Sequence, residues 1–164
     1  QCHEDATKPY GLSLLDAGTG EVLLGVHAGT DFGRGMAAHI DPGYEGSLVC
    51  GIDPPGNDGM SYGLFTSKGE KISDKAPASA NYGIRWDGDL VRELLDHDWD
   101  GTIGRPKIEK CDAENLCLPP IFQPAGVLSN NGTKGTPVLQ ANLFGDWREE
   151  VIWRTEDSSA LRIY

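Results

Sequence analysis

The sequence predicts an all-β fold, a β-propeller of which it holds about three blades of a larger ring. Three observations predict it. Apolar runs are short, separated by Gly, Pro, Asn and Asp, and helix signals are few. One layout occurs three times: a short apolar or aromatic stretch, an Asp/Gly loop, then an apolar strand, over residues 38–49, 84–95 and 141–152. The last residues, Ala160-Leu161-Arg162-Ile163-Tyr164, still alternate as a strand does.

Taken in order, Gly11-Leu12-Ser13-Leu14-Leu15-Asp16 and Glu21-Val22-Leu23-Leu24-Gly25-Val26-His27 flank the turn-rich Ala17-Gly18-Thr19-Gly20 and predict an antiparallel hairpin. Tyr62-Gly63-Leu64-Phe65-Thr66 and Lys71-Ile72, around Ser67-Lys68-Gly69-Glu70, predict a second. Aligned on Leu48, Leu94 and Val151, the three repeats stand 46 and 57 residues apart. A multi-stranded unit of roughly 40–50 residues is the period of a propeller blade. The longer interval holds an insertion, about 107–124, with Cys111, Cys117 and Pro119-Pro120. Three blades cannot close a ring, so the chain is expected to be a fragment of a longer protein. With its edges unpaired, such a piece is expected to be inactive alone. The competing architecture is an open β-sandwich with acidic loops.

Charge narrows the partners. The 164 residues carry 14 Lys+Arg against 25 Asp+Glu, a net charge of −11 and a pI near 4.6. A nucleic-acid or membrane-surface binder needs a basic field, so neither partner is expected. No apolar run approaches the roughly 18 residues of a membrane helix. Residue 1 is Gln and no charged-then-apolar leader precedes it, so a signal peptide is expected to be absent or already removed. Cys111 and Cys117 match no common zinc spacing; they are either a local disulfide, if the protein is secreted, or free thiols.

Several loops carry chemistry. Asp41, Asp87, Asp89 and Asp146 fall at strand-to-strand turns, with Glu149 and Glu150 just after the last. Closely spaced carboxylates beside Gly are hard oxygen ligands on a backbone able to curl around Ca²⁺, although no EF-hand is complete. Asp and Gly also serve turns without any metal. Ser129-Asn130-Asn131-Gly132-Thr133-Lys134-Gly135-Thr136-Pro137 is polar and glycine-interrupted, with one cation, Lys134. Its Asn and Thr side chains suit sugar hydroxyls, and Asn131-Gly132-Thr133 is a formal glycosylation sequon. Arg34 stands between Gly33 and Gly35, where backbone and ligand can approach closely and a guanidinium can clamp a carboxylate. His3 and Glu4 are adjacent and would face opposite sides of a strand, a weak metal pair.

These residues also resemble a known family. The stretch from Gly145-Asp146-Trp147-Arg148-Glu149-Glu150-Val151-Ile152-Trp153-Arg154 to Tyr164 resembles bacterial rhamnogalacturonan lyases with an eight-bladed propeller. So do Ser129-Asn130-Asn131-Gly132-Thr133-Lys134, Trp86-Asp87-Gly88-Asp89-Leu90 with Arg92-Glu93-Leu94-Leu95-Asp96, and Thr19-Gly20-Glu21-Val22-Leu23 followed by Gly33-Arg34-Gly35-Met36. The likeness runs in order over nearly the whole chain. It implies a secreted lyase, monomeric at full length, acting on rhamnogalacturonan I, the pectin backbone of alternating rhamnose and galacturonate. The bond to O4 of galacturonate is cut by calcium-assisted β-elimination, leaving an unsaturated uronate. Carried onto this sequence, Lys134 is the catalytic base or principal catalytic cation and Arg34 neutralises and binds the uronate. Asn131, Gly132 and Thr133 position the sugar. Asp41 and Asp146 are the favoured Ca²⁺ ligands, with Glu4 and His3 behind them. Two departures each remove an expected carboxylate: His39 before Ile40-Asp41, and Asn142 before Leu143-Phe144. The alternative function is a non-catalytic, calcium-stabilised propeller that binds carbohydrate or protein.

Overall fold

The computed structural model describes residues 10–27, 33–52, 61–78, 80–132 and 134–164. Every regular element among them is a strand. No helix is long and apolar enough to cross a membrane. The first predicted hairpin forms as β1 (Leu12–Leu15) and β2 (Val22–Val26). Its turn is built by Asp16, whose Oδ1 accepts the N–H groups of Gly18 and Thr19 at 2.9 and 2.7 Å.

Three four-stranded antiparallel sheets follow. The first runs β3 (Arg34–Ala38), β4 (Leu48–Ile52), β5 (Ser61–Thr66), β6 (Lys71–Ser73) in sequence order. The second runs β7 (Tyr82–Ile84), β8 (Glu93–Trp99), β9 (Gly104–Glu109), β10 (Pro120–Phe122). The third contains β11 (Val127–Leu128), β12 (Leu139–Ala141), β13 (Glu150–Thr155) and β14 (Leu161–Ile163). Here β11 and β12 both pair with β13, Leu128 against Arg154 and Leu139 against Ile152, while β14 also pairs with β13. Residues 129–138 are therefore an excursion from an otherwise continuous strand. Each sequence repeat falls in a different sheet, across β3–β4, β7–β8 and β12–β13.

Alternation along β8 places the sheets against one another. Leu94 joins Leu48, Cys50 and Leu64 of the first sheet, and Ile40 just after β3, in one buried cluster. Its neighbour Leu95, on the opposite face, joins Ile108, Val127, Val151 and Trp153 in a second. The second sheet is thus packed on both faces at Leu94 and Leu95, between the buried Glu93 and Asp96. Polar ties reinforce the packing. Glu149 accepts from Arg85 N at 3.0 Å and Arg92 Nη1 at 3.0 Å, and Arg92 N donates to His39 O at 2.6 Å.

Within residues 107–124, 107–109 complete β9 and 120–122 form β10. Cys111 and Cys117 are joined as a disulfide, and Cys111 packs into the first core cluster. The loop it closes is fastened to the first sheet's turn, because Ala113 N donates to Asp41 Oδ2 at 2.9 Å.

Candidate active site

The excursion 129–138 is pinched at its base by paired bonds, Asn130 N to Thr136 O at 2.8 Å and Thr136 N to Asn130 O at 3.0 Å. At its tip the N–H groups of Lys134 and Gly135 both donate to Asn131 O at 3.1 Å. Asn131 and Gly135 take left-handed φ values of 53° and 61°. This tight loop lies directly on the end of β8. A Cβ at Gly132 would stand 2.3 Å from the Trp99 ring, and one at Gly135 2.5 Å from Asp96 Oδ1. The two glycines are there because nothing larger fits.

The loop projects Lys134 toward the first sheet, where its Nζ donates to Gly33 O. The next residue, Arg34, opens β3 and is 7% exposed. Its Nε has no hydrogen-bond partner among the described residues. Lys134 and Arg34 line one cleft of about 170 Å³ with Gly33, Gly35, Asn81 and Tyr82. Arg34 also borders a second cleft, of about 310 Å³, with Asp96, His97, Asp98 and Trp99. Burial holds the His97 imidazole below its ordinary pKa; nearby Asp96 opposes that effect and Arg34 adds to it. His97 Nδ1 lies 2.8 Å from Ser129 Oγ, so the ring props the start of the Lys134 loop.

Asp41 and Asp146, expected to hold Ca²⁺, are not among the residues lining either cleft. Asp41 accepts Gly43 N at 2.8 Å through one oxygen and Ala113 N through the other. Exposed Asp146 accepts Arg148 N at 2.8 Å. His3, Glu4 and Thr133 lie outside the described residues. Among the described residues the group with metal-site spacing is Asp87, Asp89 and Glu93, whose ligand atoms lie within 4.8 Å of one another. Lys110 Nζ sits among them, 2.5 Å from Asp87 Oδ2, 2.5 Å from Asp89 Oδ2 and 3.9 Å from Glu93 Oε1. Glu93 is fully buried, and among the described residues its Oε1 has no hydrogen-bond partner. Burial pushes its pKa up, with Asp87 and Asp89 adding to the shift, whereas the Lys110 hydrogen bond holds Asp87 down.

A family model for rhamnogalacturonan lyase family 11, C-terminal domain, matches residues 1–164. The chain belongs to this family. It is 90% identical over its whole length to rhamnogalacturonan exolyase YesX of Bacillus subtilis and 52% identical to rhamnogalacturonan endolyase YesW of the same organism. It spans 27% and 24% of those proteins, about a quarter of each. The crystal structure of YesX superposes with a TM-score of 0.93, covering all of this chain and 27% of that one. A Bacillus licheniformis rhamnogalacturonan lyase superposes at 0.81, with 51% identity and 25% of its chain covered.

In this family 11 chain, Lys134 and Arg34, both singled out in the sequence, line one cleft, and Asn131 and Gly132 lie on the loop that carries Lys134. Asp96, His97 and Trp99, which line the adjoining cleft with Arg34, were not singled out as candidates. The available signal was Asp96-His97-Asp98-Trp99-Asp100, an abrupt polar and aromatic ending to the apolar run at Leu94-Leu95.

Proposed function

We propose that the enzyme containing this chain is a polysaccharide lyase that cleaves rhamnogalacturonan I at rhamnose–galacturonate linkages by β-elimination, breaking the C4–O4 bond of galacturonate. The observation that carries this reading is that Lys134 and Arg34, 100 residues apart in sequence, line the same cleft. The C5 hydrogen of a uronate becomes acidic when the carboxylate beside it is neutralised, since the carbanion then spreads into that group. Arg34, buried and with no partner for its Nε among the described residues, supplies a guanidinium for the carboxylate. Lys134, in its neutral amine form, takes the C5 proton; the C4–O4 bond breaks as the C4–C5 double bond forms, and the departing oxygen, which stays on rhamnose, takes up a proton from water or from the Lys134 ammonium just formed. Asn131 and the Gly132 backbone, on the same loop, orient the sugar. The 90% identical relative is named an exolyase, which favours exo action here.

The architecture proposed is a propeller ring in which the three sheets are consecutive blades; one repeat per sheet, with cores between successive sheets, supports it. Calcium is the proposed cofactor. The proposed ligands are the hard-oxygen set Asp87, Asp89 and Glu93, whose ligand atoms lie within 4.8 Å of one another and around Lys110 Nζ, whereas Asp41 and Asp146 belong to no such group among the described residues. Bound there, calcium would neutralise clustered carboxylates and stiffen the loop before β8. The disulfide accords with secretion.

The test is absorbance of the unsaturated uronate released from rhamnogalacturonan I by the full-length enzyme and by its Lys134→Ala variant. Loss of turnover in the variant with binding retained supports the assignment. Normal turnover removes Lys134 as base.

A further inference from the structure

One imidazole ties the Lys134 loop to the second sheet. His97 of β8 has its Nδ1 2.8 Å from the hydroxyl of Ser129, the first residue of the excursion. The same ring hydrogen-bonds to the backbone of Gly132, inside the loop. Both partners are themselves set from the second sheet. Asp96 Oδ1 accepts His97 N at 2.9 Å, and the carbonyl of Gly104, in β9, accepts Ser129 N at 3.0 Å.

Glycines on two elements make room for this ring nitrogen. A Cβ at Gly104 would stand 2.6 Å from His97 Nδ1 and 2.4 Å from Ser129 Oγ, and one at Gly135 would stand 3.0 Å from the same Nδ1. The ring is thus enclosed between β9 and the loop, at positions where a side chain would push it away. The pinch at Asn130 and Thr136 and the turn on Asn131 O hold the shape of the loop, but they join it only to itself. Its place over the second sheet comes from outward ties. Tyr82 supplies a longer one, 3.3 Å from Thr136 Oγ1, and His97 grips the loop at two points.

We propose that His97 is a positioning residue for the elimination: by holding Ser129 and Gly132 it sets where the Lys134 amine stands relative to Arg34, and it carries no proton itself. This rests on the lyase reading of the Lys134 cleft. Without the ring, the loop tip can swing about its pinch and take Lys134 with it, while Arg34 stays on β3. The loss then falls on proton abstraction more than on holding the uronate.

The test compares the full-length enzyme with its His97→Ala, His97→Asn and Ser129→Ala variants on rhamnogalacturonan I. His97→Ala is expected to lower kcat about a hundredfold, the scale of a misplaced catalytic group. KM is expected to stay within about threefold, because the guanidinium is untouched. His97→Asn keeps a polar atom near the Nδ1 position and is expected to recover about tenfold, the scale of one hydrogen bond. Its kcat–pH profile is expected to keep both limbs of the wild type; loss of a limb would make His97 a proton carrier and overturn the proposal. A lowered Tm with unchanged kcat in both His97 variants also overturns it, since the ring would then serve the fold alone. If His97→Ala does not fold, Ser129→Ala decides, with a roughly tenfold fall in kcat in support and an unchanged kcat against. If the wild-type enzyme releases no unsaturated product, the lyase reading fails, and the tie is judged by hydrogen exchange at the Lys134, Gly135 and Thr136 amides. Faster exchange in His97→Asn or Ser129→Ala then supports His97 as the residue that holds the loop, and equal exchange overturns it.

Discussion

The Lys134 ammonium donates to the carbonyl oxygen of Gly33, the residue immediately before Arg34. One backbone bond thus fixes the amine of a loop in the third sheet relative to the guanidinium that opens the first. The second sheet between them sets the distance, because both neighbours pack on it.

Arg34→Lys is expected to lower kcat/KM about a hundredfold, the scale of losing one preorganised electrostatic contact. Lys cannot make the two parallel bonds of a guanidinium with a carboxylate, so retaining the charge does not rescue the geometry. Steady-state kinetics on rhamnogalacturonan I, with a thermal melt to check folding, measures it. Near-normal kcat/KM would mean that the substrate carboxylate is bound elsewhere.

Much of this arrangement was legible in the sequence where chemistry is local. Both hairpins form about where their Gly-bearing turns predict. The repeat aligned on Leu94 and Val151 puts Glu93 and Glu150 in matching places. Both are buried, and both accept backbone N–H groups from the loop before them. That His97 and Trp99 border the Lys134 loop was not legible, because the loop they touch lies more than thirty residues away in sequence. Lys110 was hidden for the same reason. It follows β9, and only the pairing of β8 with β9 brings it to Asp87 and Asp89. The division of one strand into β11 and β12 depends on their shared partner β13, which no local pattern specifies.

Gly135→Ala is expected to damage activity more than stability. The residue has φ 61°, and its new Cβ would stand 2.5 Å from Asp96 Oδ1 and 3.0 Å from His97 Nδ1. Left-handed strain costs about 1 kcal/mol, and the clash is relieved by lifting the loop tip that carries Lys134. A misplaced catalytic group can cost about a hundredfold in rate. The expected pattern is a large fall in kcat with a Tm lowered by only a few degrees, as expected for a cost near 1 kcal/mol. Unchanged kcat would show that the loop tip tolerates displacement.

Reduction of the Cys111–Cys117 disulfide is expected to destabilise the fold by about 2 kcal/mol, near the low end for such crosslinks because the loop is short. The effect reaches the first sheet, because this loop is where Asp41 finds Ala113. Thermal unfolding with and without reductant, and of the Cys111→Ser/Cys117→Ser variant, measures it. Equal melting temperatures in all three would make the crosslink dispensable.

The last prediction separates the ammonium of Lys110 from a metal ion. Lys110 neutralises a group of three carboxylates, one of them fully buried, so Lys110→Met leaves their repulsion unopposed. Asp87 and Asp89 are partly exposed, with side-chain exposures of 32% and 42%, so solvent screens much of that repulsion. The expected loss without calcium is about 1–2 kcal/mol, below the 3–5 of a wholly buried pair. Calcium should then occupy the vacated position. At a free concentration about a hundredfold above its Kd it returns about 2.7 kcal/mol, because it binds the folded form alone. In the wild type the same ion must first displace Lys110, so its stabilisation should be smaller than in Lys110→Met. Melting curves of both proteins in chelator, in calcium and in magnesium measure this. A Lys110→Met protein whose Tm ignores calcium would make these carboxylates a salt-bridge cluster and return the search for the cation to other loops.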